Sequence, residues 1–301
     1  MIVVTGGFGF IGKRLVTKLS QISKEKIIIV EKKIIKSSFD CYKNNDFIKK
    51  LKNKKFSKKI KMIFHQGANS KTVEKNFNSI MKDNYLYTKN LIDECIVQKI
   101  PIIYASSASV YGVDTKNFDE QSVLEPSNYY SLTKFLIDEY VTRLLKKNKK
   151  HKIIGLRYFN VFGPGEEKKG RMASVFFHFN KQIKEKAYIN LFKGDNGYKN
   201  GEQKRDFVYV DDCADVNIWL SKNFKSGIYN VGSGHANTFN NVAKNIFKLH
   251  GKKQIYKYIK MPNDLTGKYQ NYTKADITKL RKAGYKKNFT PISDAVKLYL
   301  K

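Results

Sequence analysis

The apolar run Ile2-Val3-Val4-Thr5 leads directly into Gly6-Gly7-Phe8-Gly9-Phe10-Ile11-Gly12, and no other feature restricts the fold as much. Glycines packed this densely suit neither a helix interior nor a strand interior. They suit a junction where a buried strand turns sharply into a helix. Gly7, Gly9 and Gly12 satisfy G-x-G-x-x-G, and Gly6, Gly9 and Gly12 satisfy G-x-x-G-x-x-G. Such a turn lets the backbone approach a pyrophosphate, while the helix N-terminus supplies free N–H groups and a favourable dipole. Phe10 and Ile11, inside the loop, are expected to line the dinucleotide.

The rest of the chain keeps this rhythm. Strands are predicted at Ile2–Thr5, Lys26–Glu31, Lys61–His65, Ile102–Ala105 and Ile153–Arg157, and helices at about Ile11–Leu19, Phe77–Ile96 and Tyr130–Leu145. Short apolar runs alternating with longer amphipathic segments indicate a parallel sheet with crossover helices. The expected class is therefore α/β, a Rossmann-type doubly wound parallel sheet with a smaller α/β substrate domain. After Phe159 the pattern loosens, with further strands predicted at Phe207–Val210 and Ile228–Val231 and an exposed loop over Gly194–Gln203. The cofactor domain is expected to comprise 1–158, 206–235 and about 270–282. The substrate domain is expected to comprise 159–205, 236–269 and 283–301.

The 301 residues carry a net charge of +32, which raises the question of nucleic acid. The excess is overwhelmingly lysine and scattered, without a clustered basic motif or aromatic platform, so no nucleic-acid partner is expected. The lysine run from Lys49 to Lys61 reads as a solvated face. No apolar run approaches the roughly 20 residues of a membrane span. Met1 leads straight into a strand without a signal-peptide pattern, and Cys41, Cys95 and Cys213 form no metal or disulfide spacing. The expectation is a cytoplasmic protein with no metal and no membrane association.

Tyr130 and Lys134 lie four residues apart, on one face of the predicted helix. An adjacent ammonium favours phenolate and pulls a tyrosine down from about 10, making it a usable acid or base. Ser107, at the end of the preceding strand, can share the substrate oxygen that Tyr130 protonates or deprotonates. Glu31 ends the second strand, where an acidic side chain takes the adenosine ribose hydroxyls. Lys32, Lys33 and Lys36 follow and suit a 2′-phosphate. The carboxylate speaks for NAD and the lysines for NADP; NADP is the expectation, with NAD the alternative. Gln66, Gly67, Ala68, Asn69 and Ser70 follow the third strand at the cofactor crevice, and Asn84 on the next helix can reach toward it.

Together these features resemble the extended short-chain dehydrogenase/reductase family of NAD-dependent epimerases and dehydratases, over nearly the whole chain. Arg157-Tyr158-Phe159-Asn160-Val161-Phe162-Gly163-Pro164 and Lys204-Arg205-Asp206-Phe207-Val208-Tyr209-Val210 are similar to runs found broadly in that family. Lys169-Gly170-Arg171-Met172-Ala173-Ser174-Val175 with His178, His65-Gln66-Gly67-Ala68, and Gly267-Lys268-Tyr269-Gln270 resemble its ADP-heptose 6-epimerase branch. The resemblance implies inversion at C6″ of an ADP-heptose by transient oxidation and re-reduction, serving lipopolysaccharide synthesis. It implies that Tyr130 takes the hydroxyl proton and that Lys134 supports Tyr130 and holds the nicotinamide ribose. It also implies that Lys169 is a second acid/base and that Val161 lines the cofactor. Asn160, His178, Arg205, Tyr269 and the run Phe192-Lys193-Gly194-Asp195 are its implied substrate contacts, with Arg205 suited to a diphosphate. Arg171 stands where the family pattern has a small serine, and the loop between Asp195 and Lys204 is longer than usual. A homo-oligomer, by resemblance a pentamer, is also implied.

Three rival readings are open to test. A sugar-nucleotide 4,6-dehydratase would place an Asp-Glu pair after the catalytic hydroxyl residue, where this chain has Ala108 and Ser109. A UDP-hexose 4-epimerase shares the Ser, Tyr and Lys but has no need of Lys169. A non-enzymatic dinucleotide-binding regulator typically lacks the tyrosine or the lysine, and both are present here.

Overall fold

The computed structural model describes residues 1–72, 74–113, 115–262 and 270–301. It begins with β1 (Ile2–Thr5), α1 (Phe10–Ile22), β2 (Ile27–Glu31) and β3 (Asp40–Lys43). Two short helices, α2 (Asn44–Leu51) and α3 (Lys54–Ser57), precede β4 (Met62–His65). A long helical stretch joins α4 (Phe77–Ile80), a π-helical turn (Met81–Leu86) and α5 (Tyr87–Val97). Then come β5 (Ile102–Ser107), a 3-10 turn (Ala108–Tyr111), α6 (Tyr129–Lys147), β6 (Ile153–Tyr158) and β7 (Asn160–Phe162). A 3-10 segment (Glu166–Met172) leads to α7 (Val175–Lys186), β8 (Ile189–Phe192), β9 (Lys204–Tyr209) and α8 (Val210–Lys222). The remaining elements are β10 (Gly227–Val231), β11 (Ala236–Thr238), α9 (Phe239–Leu249), β12 (Tyr256–Ile259), α10 (Thr278–Ala283) and α11 (Ile292–Leu300).

The central sheet has seven strands in the order β10-β6-β5-β4-β1-β2-β3, all parallel. Its apolar strands are buried on both faces, as parallel strands covered by helices must be. Val3 and Ile28 point into one core and Val4 and Ile29 into the other, following the two-residue strand period. Helix α1 buries Leu15, Val16 and Leu19 against that second core and packs along α8. Arg14 grips Asp211 with two bonds of 2.5 and 2.6 Å, and Lys18 reaches Asp215 at 2.5 Å. A third core lies under the later elements, where Phe162 stacks on Phe176 with ring centroids 3.7 Å apart.

The structure departs from the sequence expectation in several places. The strand expected at Phe207–Val210 is β9, which joins the three-stranded sheet β11-β9-β7 rather than the central one, and Val210 already belongs to α8. The lysines of the Lys49–Lys61 run are exposed, as expected of a solvated face, but the run is partly helical beneath them. It holds the end of α2 and all of α3, with Phe47 and Leu51 fully buried beneath the lysines. The loop expected to be exposed through Gln203 closes on itself: Gly201 N–H donates to the Phe192 carbonyl at 3.0 Å, and Gln203, 1 % exposed, donates to the Lys193 carbonyl at 3.1 Å.

Candidate active site and cofactor cradle

The order of the central strands reverses between β1 and β4, and ligands of open α/β sheets bind outside the carboxyl ends of strands at such a point. The glycine loop and the loop after β4 meet there. Gly6 has φ +66°, and a Cβ on it would lie 2.6 Å from Gly67 Cα; a Cβ on Gly12 would lie 2.0 Å from the Gly6 carbonyl oxygen. The loop therefore folds flat against the helix start and against its neighbour, leaving the α1 N-terminus open toward the crevice. Phe10 and Ile11 are half-buried at that start.

Glu31 is half-buried, and one of its oxygens accepts the Phe8 N–H at 2.9 Å, tying the end of β2 to the glycine loop. Burial raises its pKa, and the Phe8 bond pulls it back. Lys32, largely exposed, pairs with Asp83 of the π-helical turn at 2.6 Å. Lys36 is exposed.

After β4 the side chains divide. Gln66 turns away into a buried network, donating to Asn217 at 3.1 Å and accepting from Tyr158 at 3.1 Å. Gly67 donates to Thr5 at 3.2 Å. Ala68 and Ser70 are exposed. Asn84 is buried in the π-helical turn, where its amide accepts from Asn69 N–H at 2.7 Å, returns a bond to the Asn69 carbonyl at 3.0 Å, and donates to Thr133 at 3.2 Å. A π-helical turn at a functional crevice is a recurrent device, since it displaces one side chain out of the helical register. His65, between Thr5 at 2.6 Å and Thr88 at 2.7 Å, is buried, with burial and the nearby Lys134 depressing its pKa to about 3. It is a neutral structural imidazole.

Helix α6 starts with a capping box: Asn128 accepts the Ser131 N–H at 2.9 Å and Ser131 Oγ accepts the Asn128 N–H at 3.0 Å. That cap sets Tyr130 in the first turn and Lys134 one turn on. Lys134, 5 % exposed, donates to the Ala105 carbonyl at 2.7 Å, and its Nζ lies 5.8 Å from the Tyr130 ring centroid. Burial lowers its pKa to about 8, with Asp138 opposing. Burial raises the Tyr130 phenol, and a hydrogen bond with Ser107 pulls it down. Ser107, Tyr130 and Lys134 are thus brought together at the end of β5.

Across the glycine loop, Lys169 is half-buried with its Nζ 4.8 Å from the Phe10 ring centroid. Burial lowers its pKa against the pull of Glu166. Glu166 is fully buried and anchors the surrounding segment by accepting from Gly163 N–H at 3.1 Å and Ser174 Oγ at 2.8 Å. The segment bends at Gly170, and Met172 Sδ accepts from Thr72 Oγ1 at 3.9 Å, so it borders the loop after β4. Arg171 is exposed. His178 lies on α7 with its ring edge-on to Phe177 at 5.5 Å.

The other expected substrate contacts are spread over the later elements. Val161 is half-buried between two cores, and Asn160 donates to the Asp206 carbonyl and to Thr273, each at 3.1 Å. Arg205 is buried on β9. Phe192 ends β8, and Lys193, Gly194 and Asp195 follow in exposed chain. Tyr269, with Gly267 and Lys268, lies outside the described residues. Sequence reading did not single out Asp138, Arg157 or Glu166, although Asp138 stands one further turn along the face of Tyr130 and Lys134.

The NAD dependent epimerase/dehydratase family profile matches residues 2–232. The chain belongs to this family. Among solved structures it is similar to the Helicobacter pylori ADP-L-glycero-D-manno-heptose-6-epimerase, with 29% identity, TM-score 0.82, and coverage of 99% of this chain and 94% of that one. It is also similar to the Thermotoga maritima UDP-glucose 4-epimerase, at 25% identity, TM-score 0.82, and 99% and 97% coverage. The Methanobrevibacter ruminantium UDP-N-acetylglucosamine 4-epimerase shares the fold at 23% identity and TM-score 0.83, with 99% and 96% coverage. The chain is thus an enzyme of the NAD-dependent epimerase/dehydratase type. Among the described residues no helix is long and apolar enough to cross a membrane.

Proposed function

We propose that the protein inverts C6″ of ADP-D-glycero-D-manno-heptose, giving the L-glycero epimer for lipopolysaccharide inner-core synthesis in the cytoplasm. The observation that carries this reading is the meeting of Lys169 with Phe10 at the glycine loop. Lys169 is a second amine of lowered pKa beside the glycine loop, while Ser107, Tyr130 and Lys134 gather at the end of β5, and in this reading the substrate lies between them.

The cradle suits a nicotinamide dinucleotide: Gly6 and Gly12 leave no room for side chains, and the α1 N-terminus faces the crevice. Gly6, Gly9, Phe10, Ile11 and Gly12 would hold its diphosphate, Glu31 its adenosine ribose, and Lys134 its nicotinamide ribose. Glu31 beside the loop supports NAD over the NADP expected from the lysine cluster. When bound, the cofactor supplies reversible hydride transfer, which no side chain can provide.

Tyr130 accepts the proton from the C6″ hydroxyl, and Ser107 hydrogen-bonds the same oxygen. The Ser107 hydrogen bond lowers the Tyr130 phenol against the rise from burial, and a charged Lys134 beside it would add to that lowering. Lys169 supplies the proton on the other face, so that reduction there completes the inversion. Asn160, His178, Arg205 and Tyr269 contact the substrate, with Arg205 on the diphosphate. The cofactor lobe comprises 1–158 with 206–235 and about 270–282, and the remaining segments form the substrate lobe. The assembly is a homo-oligomer, a pentamer in this reading.

The test is to incubate the purified protein with ADP-D-glycero-D-manno-heptose and follow C6″ by NMR. Inversion is expected. Its absence in protein with confirmed cofactor content would sink the proposal, and turnover of UDP-galactose instead would turn it into a 4-epimerase.

A further inference from the structure

Four consecutive residues at the end of β5 each engage α6. Tyr104 Oη and Ser106 Oγ both donate to Asp138, each at 2.9 Å. The Ala105 carbonyl between them accepts from Lys134 at 2.7 Å, and Ser107 is hydrogen-bonded to Tyr130. The strand alternates its side chains, while α6 returns to one face every turn, so two spacings have to be matched for the catalytic groups to line up. Asp138, 1 % exposed, is where they are matched. From β6, Arg157 donates to it at 2.8 Å, and that guanidinium in turn donates to Tyr111 at 3.0 Å.

We infer that Asp138 is a positioning residue for the reaction: with Arg157 it locks α6 in register on β5 and supplies the fixed negative charge that keeps the Lys134 ammonium charged beside Tyr130. Here the amine is stripped of water, and burial alone drives it toward its neutral form. The titratable groups facing Lys134 are Tyr130 and Asp138 on its own helix and His65 from β4. Tyr104 from β5 and Arg157 from β6 act through Asp138. His65 stays neutral across the working range, which leaves Asp138 as the counter-charge.

This inference rests on the epimerase reading of Ser107, Tyr130 and Lys134, but its test does not need the substrate. In resting holoenzyme labelled with 15N-lysine, the Lys134 Nζ signal is assigned by its loss in Lys134→Ala, and its titration is followed by NMR. Asp138→Asn should lower the midpoint by about one pH unit or more, the size of a lost neighbouring charge, and Asp138→Glu should restore it. Removing one partner of a buried pair is strongly destabilising, whereas replacing both by apolar residues of similar volume is often tolerated. Asp138→Leu with Arg157→Met therefore covers the case in which Asp138→Asn does not fold, and it too should lower the midpoint. An unchanged midpoint in either folded variant would overturn the inference. Failure of the heptose assay alone would overturn only the substrate reading.

Discussion

Gly12→Ala isolates the steric logic of the cofactor cradle. The added methyl would sit 2.0 Å from the Gly6 carbonyl oxygen, roughly 1.4 Å short of an ordinary contact. Gly6 cannot simply retreat, because it holds φ +66° with Gly67 backbone behind it, 2.6 Å from where its own Cβ would be. Alanine in a helix gains up to about 1 kcal/mol over glycine, whereas over-packing a filled site costs about 1–3 kcal/mol. With that gain in full, the net effect on stability is thus a loss of up to about 2 kcal/mol. Cofactor binding suffers more, since the atoms forced to move are those that approach the diphosphate. Dinucleotide released by acid from purified variant and wild type, compared by absorbance, should fall at least tenfold, with a Tm a few degrees lower. Full cofactor occupancy at an unchanged Tm would refute the steric reasoning.

Three further outcomes follow from the site. Lys169→Met keeps the packing on Phe10 but removes the amine; C6″ inversion should drop by about 10²–10⁴ with cofactor content unchanged, and retained inversion would exclude Lys169 from proton transfer. Turnover should decline as pH rises through about 8, where Lys134 loses its charge, and a profile flat to pH 10 would contradict this assignment. The stability effect runs the other way. Lys134 titrates lower folded than unfolded, so the unfavourable burial of its charge is fully present below about pH 8 and is relieved toward the unfolded value of 10.5. Finally, Glu31→Ala should shift the ratio of NAD to NADP affinity, measured by calorimetry, at least tenfold toward NADP; an unchanged ratio would remove Glu31 from cofactor choice.

Much of the site was legible because its signals are local. A strand followed by Gly6–Gly12, an acidic residue closing β2, and Tyr130 one helical turn from Lys134 are patterns whose geometry is set by backbone periodicity. The same locality explains what was out of sight. Gln66 follows β4 at the crevice, yet its amide is drawn to Tyr158 and Asn217, which lie 92 and 151 positions away. Lys32 suits a phosphate by its place after β2, and its exposed pairing with Asp83, 51 positions on, is a contact that local pattern does not show. The lysines of α2 and α3 hide the buried Phe47 and Leu51, because a strong charge pattern masks an apolar face only a few residues wide.

The sequence by itself determined the parallel α/β architecture and the identity of the glycine loop and the Ser107, Tyr130 and Lys134 set, because strand alternation, helical turns and glycine's freedom act over a few residues. Only the tertiary structure decided how those groups are tuned. The depressed pKa of Lys134, the Asp138–Arg157 pair beneath it, the neutral His65 and the approach of Lys169 to Phe10 all depend on burial and on charges from distant strands. Desolvation and Coulomb interaction act through space, so they exist only once the chain has closed around them.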